Sequence, residues 1–134
     1  MAKISPRVAR RPAALHAFMV AQAAALSGAQ RVLLALDSPP GPRVAASRLP
    51  PGEAEASLLQ AIAPWLAEAR RTRAARLRHG PEGSRPAHQR SCIVVPLWGP
   101  RGVLGWLYAD IEGAFGRFDD AMRSRLARFG EQAR

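Results

Sequence analysis

Apolar and polar positions recur along this chain in two rhythms, one of three to four residues and one of two, and together they divide it into elements. Residues 12–27 place Leu15, Phe18, Met19 and Leu26 at helical spacings, with Gln22 the one polar intruder on that stripe, and Gly28 ends the pattern. Residues 30–37 form a short apolar run bounded by Gly28 and by Pro39, Pro40, Gly41 and Pro42, which predicts a strand and then a turn into a weaker strand over 43–49. Between residues 53 and 72, Ala54, Leu58, Leu59, Ile62, Trp65, Leu66 and Ala69 define the clearest helical stripe, and Pro64 inside it predicts a kink or a second helix start. Residues 79–90 carry breakers and no apolar pattern and read as a loop.

Two strong strands follow, 91–98 and 103–110, joined as a hairpin through Gly99, Pro100, Arg101 and Gly102. If Trp98 pairs with Val103, then Ile93, Val95, Leu104, Trp106 and Tyr108 share one face, and Cys92, Val94, Pro96, Gly105, Leu107 and Ala109 the other. A last helix from about residue 119 aligns Met122, Leu126, Phe129 and Ala133, with Asp119 or Asp120 placed to cap it. Hairpins without regular βαβ alternation predict an α+β fold: a largely antiparallel sheet of about five or six strands, with helices packed on it.

Composition narrows this picture. A chain of 134 residues with 48% hydrophobic and 22% charged residues is one globular domain, read as a basic lead over residues 1–11 and a single domain over 12–134. The net charge of +10 raises nucleic acid as a partner, but 19 of the 20 basic residues are Arg and Asn is absent, as a GC-rich coding bias would produce. Arg70, Arg71, Arg73, Arg76 and Arg78 scatter on a helical wheel and read as a solvated helix end, with an anion site as the alternative. Arg7, Arg10 and Arg11 precede the first apolar stretch like a weak export signal, but His16 and Gln22 interrupt it, so a first amphipathic helix is the expectation. No apolar run reaches the roughly 20 residues needed to span a bilayer. One cysteine, Cys92, forms no internal disulfide and no multi-thiolate metal site, which fits a reducing cytoplasm.

The segment from Arg90 to Asp110, with Val95-Pro96-Leu97, a tight turn, Gly105, and then an apolar strand ending at Asp110, resembles the paired late strands of a GAF domain. Phe118, Leu126, Phe129, Gln132 and Ala133 match the Phe and Leu-rich closing helix that follow in that family; Met122 stands where many members carry Asp, and alignment on Phe115 recovers Asp119 but loses Phe129 and Gln132. The resemblance implies a GAF/PAS-like sheet with the N- and C-terminal helices on one face and a loop-covered pocket. It implies pocket residues Trp106, Tyr108 and Val95, with Arg78, His79 and His88 at the loop, ordinary core or surface placement being the alternative. It assigns dimerisation and signal transmission to the terminal helices through Leu15, Phe18, Met122, Leu126 and Phe129.

The family's defined ligand motifs fail. The Asn-Lys element of cyclic-nucleotide-binding members is absent, and only Phe115 with Asp119 and Asp120 remains of the rest. Cys92 lacks the following His of bilin-attaching members, and one thiol does not supply the two a methionine sulfoxide reductase uses. The expectation is therefore no cofactor, with cyclic nucleotide and bilin both disfavoured. His16, His79 and His88 lie at no metal-ligand spacing, and no Ser sits in a nucleophile-elbow context, so neither metal nor catalytic residues are expected.

These readings converge on a non-enzymatic, cytoplasmic, bacterial signal-transduction domain that senses an unidentified small molecule as a homodimer. Its covalently linked effector, of histidine kinase, nucleotide cyclase, phosphodiesterase or transcription-activator type, lies outside this chain. A basic nucleic-acid-binding module through Arg70–Arg78, or a GAF-fold dimerisation domain with no ligand, are the alternatives.

Overall fold

The computed structural model describes residues 11–132; the lead assigned to residues 1–11 lies outside them but for its last residue. Five antiparallel strands form one sheet in the order β2-β1-β5-β4-β3. In chain order the elements are α1 (Arg11–Ser27), β1 (Arg31–Leu36), β2 (Arg43–Arg48), α2 (Glu55–Thr72), β3 (Arg76–Gly80), a 3₁₀ turn at Pro86–His88, β4 (Arg90–Gly99), β5 (Gly102–Glu112) and α3 (Asp120–Glu131). The fold is α+β, as the pattern predicts.

The apolar run of β1 is buried on both faces because the strand is central and helices cover both sides of the sheet. Its alternating residues feed two cores. Val32 and Leu34 join Met19, Val20 and Ala23 of α1, Leu126 of α3 and Phe118 in one layer, while Leu33 and Ala35 join Leu58, Ile62, Leu66 and Ala69 of α2 in the other. The terminal helices thus share one face, and α2 alone covers the second.

The structure corrects local expectations at the hairpin, along the arginine run with the loop after it, and on α1. The hairpin pairs Trp98 with Val103, but the register shifts at the next step and Leu97 faces Gly105. Leu104 is the extra residue of a bulge, and with side-chain period two one extra residue exchanges the faces. Trp106 and Tyr108 therefore lie with Cys92 and Val94 against α2, and Val95 lies with Ile93 in the opposite layer. Helix α2 runs through Pro64 without a second start; Pro64 and Gln60, whose carbonyl loses its amide partner there, are both exposed, so the break falls on the solvent side of the helix.

The arginine run is no helix end throughout. The helix stops at Arg73, which is left-handed at φ 54°, and Arg76 and Arg78 lie on edge strand β3, paired with Glu68 of α2. The loop expected over 79–90 consequently begins as a strand. Of the α1 stripe read from spacing, Met19 packs on the sheet, where Val20 and Ala23 join it, but Leu15, Phe18 and Leu26 face outward and are exposed. At the other terminus Asp119 caps α3, its Oδ1 accepting from the Met122 amide at 2.8 Å.

Candidate functional site

The face covered by α2 alone is incompletely filled. A cavity of about 560 Å³ opens between the first turns of α2 and the adjoining ends of β1, β5 and β4, within the roughly 300–1,000 Å³ that small-molecule sites occupy. Leu58, Ala61, Ile62 and Trp65 of α2 supply its apolar wall, and Arg31, Arg90 and Tyr108 come from the sheet. Gly52, Glu53 and Ala54 rim it from the loop before the helix. Ala54 gives α2 no side-chain cap, so the first amide N–H groups of the helix remain available beside the space.

The floor is a charged network built on the ladder itself. Arg31 and Asp110 face each other across β1 and β5, and Cys92 faces Asp110 from β4. The fully buried Asp110 carboxylate accepts from Arg31 Nε at 3.1 and 3.0 Å, from Arg31 Nη2 at 2.7 Å, from Arg90 Nη1 at 3.1 Å and from the Tyr108 hydroxyl. Arg31 Nη1 also reaches Glu53 at 3.1 Å, which ties the rim loop to the floor. Arg90 Nη2 meets Glu112 at 3.3 Å. Each guanidinium carries five N–H donors, so donors remain for a ligand after these bonds are made.

The hydrogen bond to Asp110 holds the Arg31 guanidinium above its ordinary pKa. Burial, and then the neighbouring Cys92 and Asp110, push the Tyr108 hydroxyl far above its ordinary value. Burial likewise raises the Cys92 thiol, whose Sγ lies 3.4 Å from the Tyr108 oxygen. At neutral pH both groups hold their protons, so neither offers a thiolate or phenolate nucleophile. The Trp65 and Tyr108 rings stack with centroids 6.5 Å apart and planes at 17°, giving the cavity a flat aromatic wall.

Of the pocket residues expected from sequence, only Tyr108 lines this cavity. Trp106 lies on the same face, 1% exposed, its Nε1 donating to Asp37 at 3.2 Å beside a separate, smaller crevice. Val95 lies in the opposite layer, because the bulge in β5 turns Trp106 and Tyr108 away from its face. Arg78 sits over the Trp65 ring at 5.4 Å and so stiffens the wall from outside. His79 places Nδ1 2.7 Å from the buried Ser91 Oγ, its pKa lowered by burial and by Arg117, and His88 is exposed on the 3₁₀ turn. Among the residues assigned to dimerisation, Leu15 and Phe18 are exposed, Met122 and Phe129 are half-buried, and Leu126 is fully buried. Leu126 is corrected to a core residue: its apolar surface is spent against the sheet.

Arg31, Arg90, Asp110, Glu53 and Trp65 escaped the sequence reading as site residues. A usable signal existed: Arg31 begins one apolar strand and Asp110 ends another, and antiparallel pairing sets such opposite charges side by side.

No protein-family model and no curated protein matches the chain. Solved structures do. The second GAF domain of DevS from Mycobacterium smegmatis is 22% identical with a TM-score of 0.64, over 91% of this chain and 89% of that one. The blue-light-absorbing form of the PixJ GAF domain from Thermosynechococcus elongatus is 14% identical with a TM-score of 0.63, over 98% and 87%. The GAF domain of a putative sensor histidine kinase from Pseudomonas syringae is 18% identical with a TM-score of 0.60, over 90% and 72%. The chain has the GAF-domain fold. The PixJ domain is a cyanobacteriochrome, and this overturns the expectation that disfavoured a bilin: light-absorbing domains are built on the same scaffold. Among the described residues no helix is long and apolar enough to cross a membrane.

Proposed function

We propose that this chain is a regulatory, non-catalytic GAF-fold domain of a bacterial signal-transduction protein, and that it binds a small molecule in the cavity beneath α2. The observation that carries the proposal is the 560 Å³ cavity itself, with a stacked Trp65–Tyr108 wall and guanidinium donors at its floor. Similarity to GAF domains of a sensor histidine kinase and of a light-absorbing receptor supports the signalling role. The ligand biases the output by favouring one arrangement of the rim loop and helices over another, since a ligand that binds both equally shifts nothing. Arg31 provides the connection: it holds Glu53 on the rim and Asp110 in the sheet at once. The exposed Leu15 and Phe18 of α1 form the self-association surface, with Met122 and Phe129 of α3 behind it, and a covalently linked cytoplasmic effector receives the signal.

The test is native mass spectrometry of the purified protein, followed by a thermal-shift screen of small molecules that includes bilins. A bound compound at about a hundred times its Kd adds about 2.7 kcal/mol of stability. Ala61→Trp, an exposed α2 position lining the cavity, fills the space, abolishes that gain and leaves the fold intact. If the unmodified protein neither retains nor is stabilised by any compound, or if Ala61→Trp responds like the unmodified protein, the cavity is not a ligand site.

A further inference from the structure

A second concave feature lies at the other end of α2, away from the main cavity. There the helix C-terminus and the β4–β5 turn enclose a crevice of about 280 Å³, lined by Arg70, Arg73, Arg101, Asp37 and Trp106. Its one carboxylate is already committed. Asp37 accepts from Arg70 Nη2 at 2.7 Å, from Arg70 Nε at 3.3 Å and from Trp106 Nε1 at 3.2 Å. Arg73 and Arg101 have no carboxylate partner among the described residues, so two guanidiniums face the crevice uncompensated. The α2 C-terminus contributes about half a negative charge, too little to cancel them.

Arg73 is also the one non-glycine residue at positive φ among those described. It closes α2 in the left-handed region, its amide donating to the Ala69 carbonyl at 2.6 Å, a position that glycine fills with no steric cost. An arginine there accepts backbone strain and gains a guanidinium aimed from the end of a rigid helix.

We infer that this crevice binds a phosphate-class anion through Arg73 and Arg101, with Arg70 held as the third donor by Asp37. Planar guanidiniums pair phosphate oxygens through two N–H donors each. The space falls below the roughly 300–1,000 Å³ of sites for drug-sized ligands, so it accommodates a small anion or the terminal phosphate of a larger molecule. The Trp106 indole N–H, bonded to the same carboxylate that holds Arg70, reports on occupancy from within the site.

Inorganic diphosphate and ADP, titrated separately into the full chain near physiological ionic strength, test the assignment by calorimetry and by the Trp106 indole resonance. One saturable site is expected, with a shift of that resonance. The double variant Arg73→Gln, Arg101→Gln weakens binding about tenfold or more, the loss of at least one charge-assisted hydrogen bond. Arg73→Gly weakens it too while relieving the left-handed strain, so a folding defect does not obscure the result. Arg125→Gln with Arg128→Gln, exposed on α3, removes the same charge elsewhere and leaves binding unchanged. Tighter binding of ADP identifies the phosphate of a larger molecule as the natural ligand, and equal binding identifies a free anion. No saturable response to either compound, or equal losses in the two double variants, overturns the site.

Discussion

Asp110 has no contact with solvent, and its carboxylate is held between two arginines and a tyrosine. Such a network is costly to assemble, and more costly to break from one side. Asp110→Ala leaves Arg31 and Arg90 without their shared counter-ion and is expected to lower unfolding free energy by about 3–5 kcal/mol, read by urea denaturation. Asp120→Ala removes only an exposed bridge to Arg123 and is expected to cost under about 1 kcal/mol. The neighbouring Cys92 and Tyr108 fix the alkaline limb. Their folded pKa values are raised from ordinary values of 9.0 and 10.0, so the folded state holds protons that the unfolded chain releases. Their contribution is complete below pH 9.0 and declines as pH rises beyond it, Cys92 first. Denaturation midpoints measured across that range are expected to fall, and a midpoint rising above pH 9 would contradict the buried protonated pair.

At the scale of elements, close approach decides the geometry as much as apolar area does. Helix α3 lies so near β4 that a Cβ at Gly130 would sit 2.3 Å from the Pro96 carbonyl oxygen. Gly130→Ala is therefore expected to destabilise the domain by about 1–3 kcal/mol through overpacking, although alanine in a helix interior ordinarily gains about 1 kcal/mol over glycine. A thermal melt checks the sign: a stabilised variant would show that α3 shifts freely on the sheet. The bulge at Leu104 works at the same scale. One unpaired residue at the head of β5 sends Trp106 and Tyr108 to the α2 side, and so supplies the cavity with its aromatic wall. Phe118 shows which of two aromatic residues anchors the connection into α3: it is buried, whereas Phe115 is 72% exposed.

For the whole molecule, asymmetry between the two sheet faces is what matters. Two helices fill one side and a single helix leaves a cavity on the other, so the two layers differ in how completely they are packed. The outward stripe of α1, with Leu15 51% and Phe18 59% exposed, is apolar surface that the monomer leaves uncovered. Under the dimer proposal, Leu15→Glu with Phe18→Glu converts a dimer into a monomer by light scattering, while the urea midpoint reflects a change within about 0.5 kcal/mol. A monomeric unmodified protein, or a double variant that stays dimeric, removes α1 as the interface.

The sequence alone determined the order of the elements other than β3, the apolar strand over residues 30–37, the hairpin, a capping aspartate at residue 119 or 120 and the α+β architecture, because each depends on local spacing and turn chemistry. It could also have yielded β3, where Arg76, Leu77 and Arg78 alternate, but a single apolar residue is a weak signal beside a run of arginines. Only tertiary structure decided the faces. A bulge of one residue reverses which side chains meet α2, and nothing in the strand pattern marks Leu104 as the residue left unpaired. The direction of the α1 stripe was likewise a matter of packing, since Leu15 and Phe18 satisfy the helical spacing as well as Met19 and Val20 do. The cavity floor lay furthest from the sequence: Arg31, Arg90 and Asp110 come from three strands, and pairing across the sheet, not proximity along the chain, assembles their charges in one place.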